Sequence, residues 1–137
     1  MADYTPLETV VLELLLRGEN NVLNVLREQF MFSSIARREF TGAGFYLYFD
    51  IPIHISRLGN NLQVSSNFNF GDVKAFVEPT KQELGFLLWI KDGAMHVLEG
   101  YTYDNNWPMH ITNYDLSYLD GEERDWTYLY GQWNLKN

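Results

Sequence analysis

The feature that most constrains the fold is an Asp92-Gly93 pair between two runs of residues that favour β-strands. The first run is Gly85-Phe86-Leu87-Leu88-Trp89-Ile90, and the second is Ala94-Met95-His96-Val97-Leu98. Asp-Gly tolerates positive φ at both central positions of a two-residue turn. The pattern therefore predicts a β-hairpin over residues 84–103.

A regular hairpin with this turn has a fixed register. We expect four cross-strand pairs: Ile90 with Met95, Trp89 with His96, Leu88 with Val97, and Phe86 with Glu99. The apolar run on the first strand predicts that both faces of that strand are covered, which is typical of a central strand. Helices are expected to cover one of the two faces.

The first thirty residues predict two helices. Thr5 is a candidate cap, Pro6 suits the first helical position, and Glu8 stands where a capping box places a carboxylate. Apolar residues then recur at helical spacing, and they do so again after a pair of asparagines. One long helix kinked at Gly18 is the alternative, but residues 18–21 make a poor helix interior. We therefore expect an αα-hairpin.

Beyond Ser34 the apolar period changes to two, which predicts strands. Strands are expected at residues 35–40, 45–51, 62–66 and 73–77, and weaker patterns indicate two more at 111–119 and 126–133. The predicted fold is α+β: an N-terminal helical hairpin packed on one face of a twisted antiparallel sheet of about five to seven strands. Residues 1–137 are expected to form a single domain.

Composition excludes several chemistries. The chain has no cysteine, which removes disulfides, thiol nucleophiles, zinc ribbons and iron–sulfur clusters, and which fits a reducing compartment. The N-terminus lacks a basic stretch, and Glu13 interrupts its apolar run. We expect neither a signal peptide nor a membrane span, and hence a cytoplasmic location.

The formal net charge of −8 indicates which partners are compatible with the chain. Nucleic acids and anionic membranes would be repelled by such a surface. A basic protein partner would be attracted by long-range charge. The alternative interpretation is that the charge serves solubility alone.

Residues 98–108 form the first candidate site. Glu99 ends a largely apolar strand, where burial would favour its protonated form and suit general acid–base chemistry. Tyr101, Tyr103 and Trp107 offer stacking surfaces with polar groups at their tips. The alternative is a structural glutamate that accepts backbone N–H bonds and fixes the loop.

Two further pairs of residues are candidates. Arg37 or Arg38 is expected to pair with Glu99 if their strands are neighbours, and otherwise to lie on an exposed, charged strand edge. Tyr46 and Tyr48 alternate with the predicted core residues of their strand. They form either a wall of a pocket or protein-binding face, or a second core layer.

Metal and cofactor sites are not expected. None of the three histidines stands at helical or hairpin spacing to another, and His96 is better explained as a packed cross-strand neighbour of Trp89. The sequence contains no phosphate loop, nucleophile elbow, dinucleotide fingerprint or calcium loop. Enzymatic activity is therefore unsupported by motifs.

Two segments resemble a family of small bacterial proteins. Residues 38–45 resemble R-E-x-T-G-x-G-F, and residues 84–108 resemble a longer pattern in which L-E-G-(aromatic)-T-(aromatic) is followed by W-P. The family has no established activity, so the resemblance implies a bacterial origin and a shared fold, without a reaction. Toxin-neutralising immunity proteins are also small, acidic and bacterial. This similarity concerns size, charge and origin, and it is an analogy only.

Three functions stay open at this point. The first is a binding protein, such as an immunity-type inhibitor, that uses acidic and aromatic surface against a basic protein partner. The second is a small-molecule binder or hydrolytic enzyme that holds Glu99 in a concave sheet pocket beside Arg37 or Arg38 and Tyr101. The third is a structural module of a larger assembly.

Overall fold

The fold is α+β, as the sequence predicts. The computed structural model describes residues 3–59, 62–103 and 106–133, and over these ranges the chain forms three helices and a seven-stranded antiparallel sheet. The first two helices precede the sheet, which confirms the predicted helical hairpin. Within the same ranges, no helix combines the length and the apolar character that crossing a membrane requires.

The elements follow one another with short connections except after β2 and β6. The helices are α1 (Pro6–Leu15), α2 (Asn21–Phe32) and α3 (Trp126–Trp133). The strands are β1 (Ser34–Phe40), β2 (Gly44–Asp50), β3 (Phe68–Phe70), β4 (Val73–Val77), β5 (Gln82–Lys91), β6 (Ala94–Thr102) and β7 (Tyr114–Tyr118). Their order in the sheet is β1-β2-β6-β5-β4-β7, and β3 pairs with β5 beyond the end of β4.

The central hairpin forms where the sequence predicts it. Asp92 and Gly93 both have positive φ, 53° and 78°, so the two-residue turn has the geometry that Asp-Gly favours. Its two strands, β5 and β6, occupy the middle of the sheet.

The predicted register is wrong beyond the first pairs. Ile90 pairs with Met95 as expected, but Trp89 pairs with Val97, because His96 is an extra residue in a β-bulge. A shift of one residue transfers every later side chain to the other face. Glu99 consequently lies opposite Leu87 rather than Phe86.

The first two helices each have a side-chain cap at the N-terminus, and the capping box of α1 is the one that the sequence predicts. Thr5 and Glu8 form a complete capping box, in which each side chain accepts a hydrogen bond from the other's backbone N–H. Asn20 accepts a hydrogen bond from the backbone N–H of Val22 at 2.8 Å and so caps α2. Gly18, with φ of 129°, separates the two helices.

Three strand predictions in the periphery are corrected. Residues 126–133 form helix α3, because Asp125 accepts the Tyr128 N–H and because Trp126, Leu129 and Trp133 follow helical spacing. The range 62–66 forms no strand over its described residues, while the three-residue β3 was not predicted. The strand expected at 111–119 is confined to Tyr114–Tyr118.

A buried ion pair joins α1, the start of β4 and the turn before α3. Arg124 donates two hydrogen bonds to the carboxylate of Asp72, at 2.8 and 2.9 Å, and both side chains are almost fully buried. The same guanidinium donates to the carbonyl groups of Leu15 and Arg17 at the end of α1. It therefore satisfies carbonyl groups that a helix end leaves without partners.

Replacing Arg124 tests this junction. Arg124→Ala should lower the free energy of unfolding by about 3–5 kcal/mol, since Asp72 would be left buried without its cation. Urea denaturation measures the change. Arg17→Ala is the matched control: its exposed side chain should contribute less than about 0.5 kcal/mol. Equal losses in the two variants would contradict a structural role for the pair.

Candidate functional site

One face of the sheet is left uncovered, and we call it the open face. The helices pack on the opposite face, where the inward side chains of the strands join α1, α2 and α3 in one core cluster. The side chains on the other face lie outside that cluster. The cross-strand register assigns the following residues to the open face: Arg37, Glu39, Gly44, Tyr46, Tyr48, Asn69, Lys74, Phe76, Glu83, Gly85, Leu87, Trp89, Val97, Glu99, Tyr101, Asp115 and Ser117.

The expectation that β5 is covered on both faces is therefore wrong. Leu84, Phe86 and Leu88 point into the core, whereas Leu87 and Trp89 point to the open face. Trp89 is 40% exposed. The continuous apolar sequence suggests a strand that is buried on both faces. In the structure, alternate side chains of this run point to the open face.

Arginine and aromatic rings pack together at the β1 end of the open face. The guanidinium of Arg37 lies 4.0 Å from the ring centroid of Tyr48 and also pairs with Glu39 at 3.0 Å. The imidazole of His96 packs edge-to-face with the same tyrosine, with its ring centroid 5.8 Å from that of Tyr48. Cation–π and edge-to-face contacts thus hold the Tyr48 ring in one position.

The titration of His96 reflects this packing. Partial burial lowers the pKa of His96 below its ordinary value, and the positive charges of Lys91 and Arg37 act in the same direction. The imidazole is accordingly neutral at pH 7, and it contributes an aromatic edge rather than a positive charge.

Glu99 lies near the middle of the open face. Its Oε1 accepts a hydrogen bond from the indole Nε1 of Trp89 at 3.2 Å, and its direct cross-strand neighbours are Tyr46 and Leu87. The carboxylate is half-buried between these side chains. It offers its remaining lone pairs to a donor arriving from outside.

Tyr101 lies flat against the sheet because the neighbouring residue is glycine. A Cβ atom on Gly85 would stand 2.3 Å from Cζ of Tyr101, so any side chain there would displace the ring. Burial raises the pKa of Tyr101 to about 12, and Tyr103 and Glu99 add to this effect. Tyr103 packs edge-on against this ring, at 5.7 Å between centroids, and is 74% exposed.

Arg38 and Trp107 lie on the covered side, away from these residues. β2 separates β1 from β6, so the proposed pairing of an arginine with Glu99 does not form. Arg38 pairs instead with Glu8 of α1, at 2.6 Å, and these hydrogen bonds raise the pKa of Arg38. Trp107 packs against the core residue Phe45.

The structure thus divides the predicted site residues into two groups. Glu99, Tyr101, Tyr46 and Tyr48 share the open face with Arg37, and Tyr103 packs against Tyr101. Arg38 and Trp107 line a cavity on the other side. Asp104 and Asn105 of the predicted loop lie outside the described residues.

Sequence reasoning missed three contributors to these surfaces. Trp89 was assigned to a packed pair with His96, although the odd positions of β5 share the face of Glu99. Glu39 was seen only as part of a charged edge. The sequence predicts Glu8 only as part of a helix cap. No local pattern connects it to Arg38, which lies thirty positions later.

Comparisons with known proteins add no assignment. The chain matches no family model, no curated protein and no solved structure. The function is therefore argued from the geometry of the site.

Substituting Gly85 tests how the open face is built. Gly85→Ala should cost about 1–3 kcal/mol of folding stability, since the added methyl group collides with the ring of Tyr101. The same substitution in a Tyr101→Ala background should cost markedly less. Urea denaturation of the two single variants and the double variant gives the coupling energy.

The control for this cycle is Gly131→Ala in α3, where the added Cβ meets no atom within 4 Å. It should stabilise the protein by about 0.5–1 kcal/mol, as alanine does in a helix. Additive effects of Gly85→Ala and Tyr101→Ala would show that the ring does not depend on the glycine.

Proposed function

We propose that this protein is a binding protein that holds a basic protein partner on the open face. The observation that carries the proposal is a sheet face rich in aromatic side chains that lie outside the core cluster formed with the helices. Tyrosine, tryptophan and arginine are the residues that dominate binding energy at protein interfaces. A contiguous surface of this kind is typical of a contact site.

The aromatic side chains are already held in the positions that binding would use. Tyr48 is fixed beneath Arg37, Trp89 is fixed by its hydrogen bond to Glu99, and Tyr101 is fixed across Gly85. A partner would therefore order few side chains when it binds, which lowers the entropy cost of association.

The charges of the open face favour a basic partner. Four carboxylates, Glu39, Glu83, Glu99 and Asp115, stand against the two cations Arg37 and Lys74. Glu39 is already paired with Arg37. The net charge of −8 adds a long-range attraction for a basic surface and a repulsion for nucleic acid.

An immunity-type inhibitor of a bacterial toxin belongs to this class. A toxin domain that acts on nucleic acid presents a basic surface, and an acidic inhibitor would compete for that surface. The two segments that resemble small bacterial proteins agree with this proposal, and the absence of cysteine agrees with a cytoplasmic site of action.

Catalysis by Glu99 is less well supported by the geometry. Arg37 pairs with Glu39, and Arg38 pairs with Glu8, so neither arginine bonds to Glu99. Glu99 accepts a hydrogen bond from the Trp89 indole, which fits a role in positioning that side chain on the open face.

The test begins by isolating the partner on the immobilised chain from a lysate of the organism that carries the gene. The partner is identified by mass spectrometry, purified and measured by calorimetry at low and high ionic strength. Trp89→Ala should weaken binding by about 30-fold, or about 2 kcal/mol, as expected of a central aromatic anchor. The double variant Glu39→Gln/Glu99→Gln should weaken binding and reduce its salt dependence.

Matched variants outside the open face provide the control. Ile53→Ala removes another highly exposed apolar side chain, and Glu28→Gln/Glu123→Gln removes two exposed charges elsewhere. Both should leave the affinity unchanged. An acidic partner, or equal losses in the test and control variants, would refute the proposal.

A further inference from the structure

A cavity of about 500 Å³ lies on the covered side of the sheet, behind the open face. Its walls come from the first turn of α1, from the turn between β1 and β2, and from residues 107–111. A volume of this size is typical of small-molecule sites.

The floor of the cavity is apolar and fixed in place. The backbone N–H of Trp107 donates to the carbonyl of Gly42 at 2.7 Å, which ties the 107–111 segment to the turn between β1 and β2. The indole then packs edge-on against Phe45, at 5.2 Å between ring centroids, and also contacts the core residue Phe86.

The rim of the cavity exposes two large apolar side chains to solvent. Phe40 is 75% exposed and Met109 is 91% exposed, and both line the cavity. Their apolar surface next to an apolar cavity is what a ligand would cover on binding.

Three polar side chains, Thr5, Glu8 and Arg38, also line the cavity. Arg38 uses Nε and Nη2 for the carboxylate of Glu8, and Nη2 also donates to the carbonyl of Asp3. Among the described residues, no group accepts a hydrogen bond from Nη1 of Arg38. Nη1 therefore keeps donor capacity in a side chain that lines the cavity and that Glu8 holds in place.

The charge balance at this group selects the type of ligand. The positive charge of Arg38 is neutralised by Glu8 at 2.6 Å, so the ion pair has no net charge. A ligand carboxylate would gain from Arg38 but would be repelled by Glu8 close by. A neutral carbonyl oxygen can accept from Nη1 without that repulsion.

We infer that this cavity is a binding site for a neutral, mainly apolar small molecule that carries a carbonyl oxygen. The apolar part of the ligand lies against Phe45 and Trp107 and beneath Phe40, and its carbonyl oxygen accepts a hydrogen bond from Arg38. The site is separate from the open face, and it does not depend on the protein partner proposed above.

A pair of matched probes tests the inference. The probes are 4-phenylbutanamide and 4-phenylbutanoate, which share one apolar body and differ in the charge of the head group. In calorimetric titrations the amide should bind at least about tenfold more tightly than the carboxylate. In NMR spectra the amide should shift the indole signal of Trp107 and the guanidinium signals of Arg38, and it should leave the indole of Trp89 unchanged.

Two variants separate recognition from folding. Arg38→Lys keeps a positive charge opposite Glu8 but lacks the planar fork and its Nη1 donor, so it should weaken the binding of the amide. Phe40→Ala changes an exposed rim residue and should weaken both probes by about the same factor. Phe32→Ala is its control, because Phe32 is also exposed but does not line the cavity.

The following results would overturn the inference: no binding of either probe at millimolar concentration, equal or tighter binding of the carboxylate, or shifts confined to the open face. Failure here leaves the open-face proposal standing, since none of these variants lies on that face.

Discussion

The one-sided arrangement of the molecule depends on a buried glutamine. Gln29 of α2 is fully buried, and its amide donates to the carbonyl groups of Ser56 and Gly93 and accepts the backbone N–H of Met95. Two of these bonds, to Gly93 and Met95, attach the helix to the central hairpin, and the third attaches it to the connection between β2 and β3; all three measure 2.9 to 3.0 Å. A buried amide is costly unless its hydrogen bonds are made, so α2 stays on that side of the sheet. The other side is left for surface chemistry.

On the open face, neighbouring side chains pack against one another and so order the surface. Arg37 covers Tyr48, Trp89 binds Glu99, and Tyr101 fills the space above Gly85. Each contact satisfies a polar group or fixes a ring without removing the face from solvent. The result is a surface that is ordered before binding and that still presents aromatic area. Such a surface is suited to association and has no need of a covering layer.

The sequence predicts the parts of this structure that depend on neighbouring residues. The Asp92-Gly93 turn and the capping box of Thr5 and Glu8 are local, and both form as expected. The bulge at His96 depends on packing across the sheet and not on neighbouring residues alone. Its one extra residue moves Glu99 from the core side to the open face. The pairing of Glu8 with Arg38 depends on how α1 lies against β1. Helix α3 was missed although its apolar spacing was readable, because its aromatic content favoured a strand.

The central claim is that the helices pack on one face of the sheet and leave the aromatic side chains of the other face accessible to solvent. The most direct measurement is the relaxation of tryptophan indole N–H signals by a neutral gadolinium chelate dissolved in the sample. The account predicts strong relaxation of Trp89, which is 40% exposed, and almost none of Trp133, which is fully buried. Equal protection of the two indoles would mean that something covers the open face, and it would contradict the account.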